Sequence, residues 1–297
     1  MARYLDPATL PEDVARYAQC FCGAVSFEIE GPLSVPSLCH CSQCRRLHGA
    51  PGAYTSAPVS AYRIRGEESQ RWYHTSERAE QGFCKVCGSK LFWREVGGKT
   101  LDVTMGSLES PTGLKLAIHI WTRYQGDYYE IGHDGVPRFA ESSRDAQPIG
   151  AQAPPQAGPK TQEHSGGCAC GAVGYRVSGN MRDVVYCHCG QCRRIHGHAP
   201  GYSAARRAEM AIEGEDNIVW YRASDQVQRG FCRSCGSSLF WCPEGRETVS
   251  ISAGSINAPT GMKTARHIYA SDKGDYYVIA DGVPQDTGTM AGNPVTF

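Results

Sequence analysis

Reactive side chains concentrate in two near-identical stretches. Cys39 to Gly49 reads Cys-His-Cys-Ser-Gln-Cys-Arg-Arg-Leu-His-Gly, and Cys187 to Gly197 repeats it with Gly190 for Ser42 and Ile195 for Leu47. Three thiols at C-x-C-x-x-C spacing form a compact soft-metal site, because thiolates are the donors that zinc and similar ions select. The arginines that follow place positive charge beside it.

Each half carries four more cysteines in two pairs. Cys20-x-Cys22 and Cys84-x-x-Cys87 in the first half correspond to Cys168-x-Cys170 and Cys232-x-x-Cys235 in the second. Four thiolates close a tetrahedral zinc site and leave no position for chemistry, so each such set reads as a structural staple. Gly88 after the second pair permits the positive-φ turn of a C-x-x-C knuckle. Such a staple suits a small β domain, since the metal's binding free energy becomes folding free energy.

The remaining trios are Cys39, Cys41 and Cys44, and Cys187, Cys189 and Cys192. Three protein ligands with a free fourth position is the pattern of a catalytic zinc. Spacing alone leaves a second alternative open, in which His40, His48 or His119 closes the site as a further staple. Zinc with three thiolates carries a net charge of −1, which makes it a weak activator of water. It can, however, hold an exogenous thiolate near neutral pH. Arg45, Arg46, Arg193 and Arg194 would offset the negative charge or pair with a carboxylate on the incoming molecule, unless they are ordinary solvated side chains. His119 and His267, in apolar strand-like runs, and His48 and His196, just after the knuckles, are the candidate acid–base groups. The candidate catalytic set is therefore His48, His119, His196, His267, Arg45 and Arg193. Cys242 has no partner in the first half, where Arg94 stands, and reads as an incidental thiol.

The scaffold follows from an internal repeat. Adding 148 to each of the seven cysteine numbers in the first half lands on cysteine every time, and Gly126-Asp127-Tyr128-Tyr129 maps onto Gly274-Asp275-Tyr276-Tyr277. The chain is a tandem duplication. Its segments are a tail over 1–18, a first zinc domain over 19–140, a Pro/Ala/Gln-rich linker over 141–165 and a second zinc domain over 166–297. The linker makes the copies separate folding units and leaves open whether they dock. In the tail, Thr9-Leu10-Pro11-Glu12 predicts a short helix running to about Ala18.

Within each copy, Ala24 to Ile29, Tyr62 to Arg65, Lys90 to Trp93 and Leu114 to Trp121 read as short strands, and Arg45 to Gly49 as one helical turn. The fold class is mainly β, two small antiparallel domains with zinc knuckles. The 297 residues carry no net formal charge, which gives no footprint for nucleic acid or an anionic membrane. There is no apolar run of transmembrane length and no signal peptide, and the expected location is the cytoplasm. The count of 15 cysteines is odd, and their clustering fits metal binding better than disulfides.

These motifs resemble the glutathione-dependent formaldehyde-activating enzyme family, which includes centromere protein V. The matching pieces are Cys20-Phe21-Cys22-Gly23-Ala24-Val25, Cys39 to Arg46, Phe83 to Ser89, Gly106-Ser107-Leu108 and His119-Ile120-Trp121. In the second half they are Cys168 to Gly171, Cys187 to Arg194, Phe231 to Ser237, Gly254-Ser255-Ile256 and His267-Ile268-Tyr269. The resemblance implies a β-rich fold with two zincs per domain, a Cys₄ structural site and a Cys₃ catalytic one. It also implies carbon–sulfur lyase chemistry on a small-molecule substrate, the reversible addition of glutathione to formaldehyde. One departure is visible: relatives often carry a basic residue shortly before the Phe-Cys pair, as Arg229 does here, whereas the first half has Gln81. The competing readings are a zinc enzyme using water on another electrophile and a non-catalytic doubled zinc module that binds a partner. Elemental analysis of the purified chain should find up to four zinc ions; about two would leave only the Cys₄ staples filled and favour the binding module.

Overall fold

Strands of three to seven residues are too short to stand alone, and here they gain stability by pairing into two sheets per half. The computed structural model describes residues 15–143, 147–150, 155–156, 158–159 and 161–289. The first half contains β1 (Arg16–Gln19), β2 (Ser26–Ile29), β3 (Ser37–Cys39), helix α1 (Ser42–His48), β4 (Gly52–Pro58) and β5 (Tyr62–Arg65). It continues with β6 (Gln70–Ser76), β7 (Ala79–Cys84), β8 (Lys90–Glu95), β9 (Thr100–Thr104) and β10 (Ile118–Ile120). One sheet runs β1-β2-β5 and the other β10-β3-β4-β9-β8-β7-β6. Alternation along β2 turns Phe27 and Ile29 inward, and Phe27 meets Phe92 of β8 with ring centroids 4.7 Å apart, joining the two sheets.

The second half repeats this plan. Its elements are β11 (Glu163–Gly167), β12 (Gly174–Ser178), β13 (Val184–Cys187), α2 (Gly190–His196), β14 (Gly201–Arg206) and β15 (Met210–Glu213). They are followed by β16 (Ile218–Ser224), β17 (Val227–Cys232), β18 (Ser238–Pro243), β19 (Thr248–Ser252) and β20 (Thr264–Ile268). The sheets run β11-β12-β15 and β16-β17-β18-β19-β14-β13-β20. The molecule is mainly β, as its patterning predicts. No helix among the described residues is long and apolar enough to cross a membrane.

Three local expectations change. Helix does not reach Ala18, because Arg16 to Gln19 is a strand whose backbone pairs with Ser26 to Ile29; the capping signal at Thr9 lies outside the described residues. Among the named strands the pairing is antiparallel except at β3–β10 and β13–β20, which run parallel, and parallel bridges from His119 to Arg138 and from His267 to Gln285 continue these edges. The helical turn after Cys44 is a seven-residue helix that begins at Ser42 and ends at Gly49 with a φ of 80°. Part of the 141–165 segment lies outside the described residues, and β11 begins within it at Glu163.

The halves dock through reciprocal contacts. Tyr128 and Tyr129 of the first half lie in the core cluster of the second, and Tyr276 and Tyr277 lie in that of the first. Asp275 accepts hydrogen bonds from the Thr112 and Gly113 backbone N–H groups at 3.0 and 2.7 Å, and Asp127 accepts from Thr260 N–H at 2.5 Å. The repeated Gly-Asp-Tyr-Tyr segment thus serves the opposite half. The Gly-Ser motifs do the same: Gly106 N–H donates to the Gly197 carbonyl, and a Cβ at Gly106 would lie 2.1 Å from the Arg193 carbonyl oxygen. Beyond each C-x-x-C pair, Gly88 and Gly236 adopt φ of 76° and 74°, and a side chain there would strike Phe231 or Phe83 of the other copy.

One pair on this interface breaks the symmetry. Lys90 is fully buried, and its Nζ donates to the Gly88 carbonyl at 2.6 Å and to Ser238 Oγ, its counterpart in the repeat, at 2.9 Å. Burial pulls its pKa down to about 7 against the opposing charge of the nearby Cys235 and Cys87 thiolates. Expressed alone, residues 160–297 should therefore form a homodimer in sedimentation experiments, with Ser238 facing Ser238. Residues 1–150 should not, because two buried lysines would meet, and Lys90→Ser should restore their pairing. Equal dimerisation of both halves would count against this account.

Candidate metal centres and active site

The strand layout explains how distant cysteines meet. Cys20 and Cys22 occupy the turn between β1 and β2, while β7 ends at Cys84 and its following turn carries Cys87. Their four sulfurs lie within 4.8 Å of one another, as do those of Cys168, Cys170, Cys232 and Cys235. Neighbouring sulfurs stand 3.5 Å (Cys20–Cys22) and 3.8 Å (Cys22–Cys84) apart, with 3.5 and 3.7 Å in the second half. Thiolates about 2.3 Å from a tetrahedral ion would lie about 3.8 Å apart, whereas a disulfide needs about 2.05 Å. Backbone N–H groups of Val25 and Val173 donate to Cys20 and Cys168 at 3.2 Å, orienting those donors. The other copy covers each cluster. Phe21 packs edge-on against Tyr221, with centroids 6.1 Å apart, and Arg71 donates to the Arg233 carbonyl.

The trios are assembled by one strand end and one helix start. β3 delivers Cys39, Cys41 caps α1 with its sulfur accepting the Cys44 N–H at 3.3 Å, and Cys44 sits in the first turn. β13 and α2 place Cys187, Cys189 and Cys192 in the same way. Each trio has its sulfurs within 4.8 Å, and among the described residues no histidine nitrogen joins either group.

The histidines are engaged elsewhere. His48 Nδ1 faces the His196 carbonyl at 2.6 Å and His196 Nδ1 faces the His48 carbonyl at 2.5 Å; carbonyls only accept, so both Nδ1 atoms carry hydrogens. Their Nε2 atoms accept from the Tyr54 and Tyr202 hydroxyls, both at 2.6 Å. Burial drives the pKa of His48 down to about 4 and that of His196, with Arg229 adding to the effect, to about 3, so both rings are neutral at pH 7. Behind each trio runs a second chain. Tyr129 meets His40 Nδ1 at 2.9 Å, His40 Nε2 meets His119 Nδ1 at 3.0 Å, and His119 Nε2 meets Asp134 at 2.8 Å. Tyr277, His188, His267 and Asp281 repeat it at 2.7, 2.9 and 2.8 Å. Burial would raise the Asp134 carboxyl, but the His119 hydrogen bond and charge hold it below the ordinary range. The two chains face each other across a cleft of about 100 Å³ between the copies.

The arginines divide by role. Arg45 Nε donates to the His40 and Tyr124 carbonyls at 3.3 and 3.1 Å, and Arg193 makes the matching bonds to His188 and Asp272. Both are pinned beside their trios. Arg46 crosses the interface to the Gly167 and Ser255 carbonyls and to Asn257. Cys242 is buried in β18 and, raised by burial, stays a thiol.

Sequence reading passed over four features of these sites. Tyr54 and Tyr202 stand between histidine and sulfurs; burial raises both phenols, with the Cys44 charge adding to it at Tyr54, while at Tyr202 the Arg229 charge opposes it ahead of the Cys192 contribution. Asp134 and Asp281 end the histidine chains. Trp121 and Tyr269 adopt left-handed backbone, φ of 58° and 54°, a costly conformation for bulky residues. Burial raises the Tyr269 phenol, followed by the Cys187, Cys189 and Cys192 charges, so this ring flanks the second trio. Arg229, which fits the family pattern from which Gln81 departs, donates to Cys192 itself. Recurrence at the 148-residue shift, or 147 for Asp134, was the available signal for the paired ones.

A family model described as glutathione-dependent formaldehyde-activating enzyme matches residues 15–124 and 163–272. An uncharacterized lyase of Schizosaccharomyces pombe is 24% identical over 120 residues, spanning 40% of this chain and 87% of that protein. A crystal structure of a Rhodobacter sphaeroides protein shares 24% identity over 32% of this chain and 88% of its own, with a TM-score of 0.28. The family match falls twice, each time over one complete set of seven cysteines, so the chain belongs to the glutathione-dependent formaldehyde-activating enzyme family as a tandem pair of its domains.

Proposed function

We propose that this protein is a zinc-dependent carbon–sulfur lyase that adds a thiol of the glutathione type to a small aldehyde such as formaldehyde, or removes it. The observation that carries this reading is the three-sulfur centre that no histidine closes. The donor set fits zinc: all-thiolate, at separations suited to a tetrahedral ion, with the fourth position left for a ligand from outside. When bound, zinc supplies a site where an exogenous thiol is held as its thiolate.

The chain's own residues would do the rest. Arg45 and Arg193, fixed on backbone carbonyls, keep a positive charge beside the trio and lower the cost of bringing in an anionic sulfur. Trp121 and Tyr269, held in strained backbone, would present an aromatic wall to the incoming molecule. The proton on the hemithioacetal oxygen needs a relay. In this reading Tyr54 and Tyr202 would contact the oxygen and relay the proton to His48 and His196, whose Nε2 atoms they already face. His119 and His267 act one step further back, orienting His40 and His188.

The paired substitution Cys41→Ala with Cys189→Ala should cut catalysed exchange between formaldehyde and glutathione by more than about 100-fold, measured by NMR exchange spectroscopy. Circular dichroism should stay native, because the Cys₄ clusters remain and each lost helix cap costs only about 1 kcal/mol. Exchange at the wild-type rate in that variant would sink the proposal.

A further inference from the structure

The two trios match at every sulfur but not in the charge behind them. Arg229 of β17, 4% exposed, aims its guanidinium at the second trio. Nη2 donates to Cys192 Sγ at 3.3 Å and to Gln191 Oε1 at 3.0 Å, while Nη1 donates to the Tyr202 hydroxyl at 3.0 Å. In β7 the same place holds Gln81, a neutral amide that meets the Tyr54 hydroxyl at 2.9 Å. Gln81 Nε2 has no partner while its oxygen faces Tyr54; since the Tyr54 proton is committed to His48, turning the amide over satisfies both groups.

Neighbouring differences do not cancel this charge. Glu80 and Arg94 form an ion pair at 2.6 Å in the first half, and the uncharged Gln228 and Cys242 replace them in the second. Arg45 and Arg193 stand equivalently beside the two trios. Lys90, a buried cation of the first half alone, bonds Gly88 and Ser238 rather than a sulfur of either trio, so the extra cation in contact with a trio belongs to the second centre.

Resting on the reading above, we infer that the two centres are inequivalent: the Cys187–Cys189–Cys192 centre is built to hold an exogenous thiolate tightly, and Arg229 is the positioning residue that makes it so. With zinc, three thiolates and the arginine pinned beside each trio sum to zero, and Arg229 brings the second centre to +1. A fourth thiolate then leaves the second centre neutral, against −1 at the first, in surroundings where a buried charge is expensive. The hydrogen bond to Cys192 also withdraws electron density from that sulfur, so the metal pulls harder on its fourth ligand. In the binding step the thiol gives its proton to solvent and its sulfur lone pair fills the open position; nothing is oxidised or reduced.

The test is a glutathione titration of the full chain loaded with cobalt, followed by thiolate-to-cobalt charge-transfer absorbance, with metal content measured in each variant. The wild type should show two phases separated by about tenfold or more in affinity. Arg229→Gln should abolish the tight phase, Arg229→Lys should restore part of it, and Gln81→Arg should convert the weak phase into a second tight one. A single phase at both centres in the wild type, or a tight phase that survives Arg229→Gln, would overturn the inference while leaving the proposed function standing. No thiol response at either centre would overturn both. Should Arg229→Gln fail to hold metal, Gln81→Arg decides alone, since it adds the feature to an intact protein.

Discussion

The docking of the two halves governs this structure. At its centre each of His48 and His196 donates Nδ1–H to the carbonyl of the other, and both rings are buried and neutral. Around that exchange, each copy lends its Gly-Asp-Tyr-Tyr segment to the core of the other, and each knuckle glycine makes room for the other's phenylalanine. A domain of this size buries a small fraction of its surface by itself. The interface supplies the missing wall, and it covers the Cys₄ clusters at the same time.

Docking also fixes what the histidines can do. A ring whose Nδ1 is spent on the opposite copy and whose Nε2 is spent on a tyrosine can neither ligate a metal nor meet a substrate directly. The same holds for His40 and His119, each bonded through both nitrogens. Among the described residues no imidazole joins either trio, because the fold has given His40, His48, His119 and their counterparts other partners. The three-sulfur grouping is thus a product of the packing as much as of the cysteine count.

Duplication within one chain permits differences that two identical subunits could not carry. Lys90 faces Ser238, Gln81 answers to Arg229, and His198, bonded to the Tyr276 hydroxyl at 2.8 Å, stands where the first copy has Ala50. The corresponding Tyr128 hydroxyl has no histidine facing it and lies near the charge of Arg45 instead. Each exchange places a charge or a polar group on one side only. A strictly symmetric dimer would double it, which for a buried lysine means two like charges in contact.

Much of this was legible in the chain itself. Cysteine spacing and the 148-residue repeat specify which thiols group together, because ligand sets at strand ends and knuckles leave few geometries. Alternation in segments such as Ser26 to Ile29 specifies a mainly β fold. The local capping signal misled near Ala18, where strand pairing with β2 outweighs helix propensity, and the parallel edges at β10 and β20 carry no local mark. What only the tertiary structure decided is partnership across long sequence distance: that His48 bonds His196, that Tyr54 intervenes between histidine and sulfur, and that Arg229 reaches Cys192. Ligand spacing is written in neighbouring residues, whereas the use of a buried hydrogen-bonding group depends on which other chain segment packs against it.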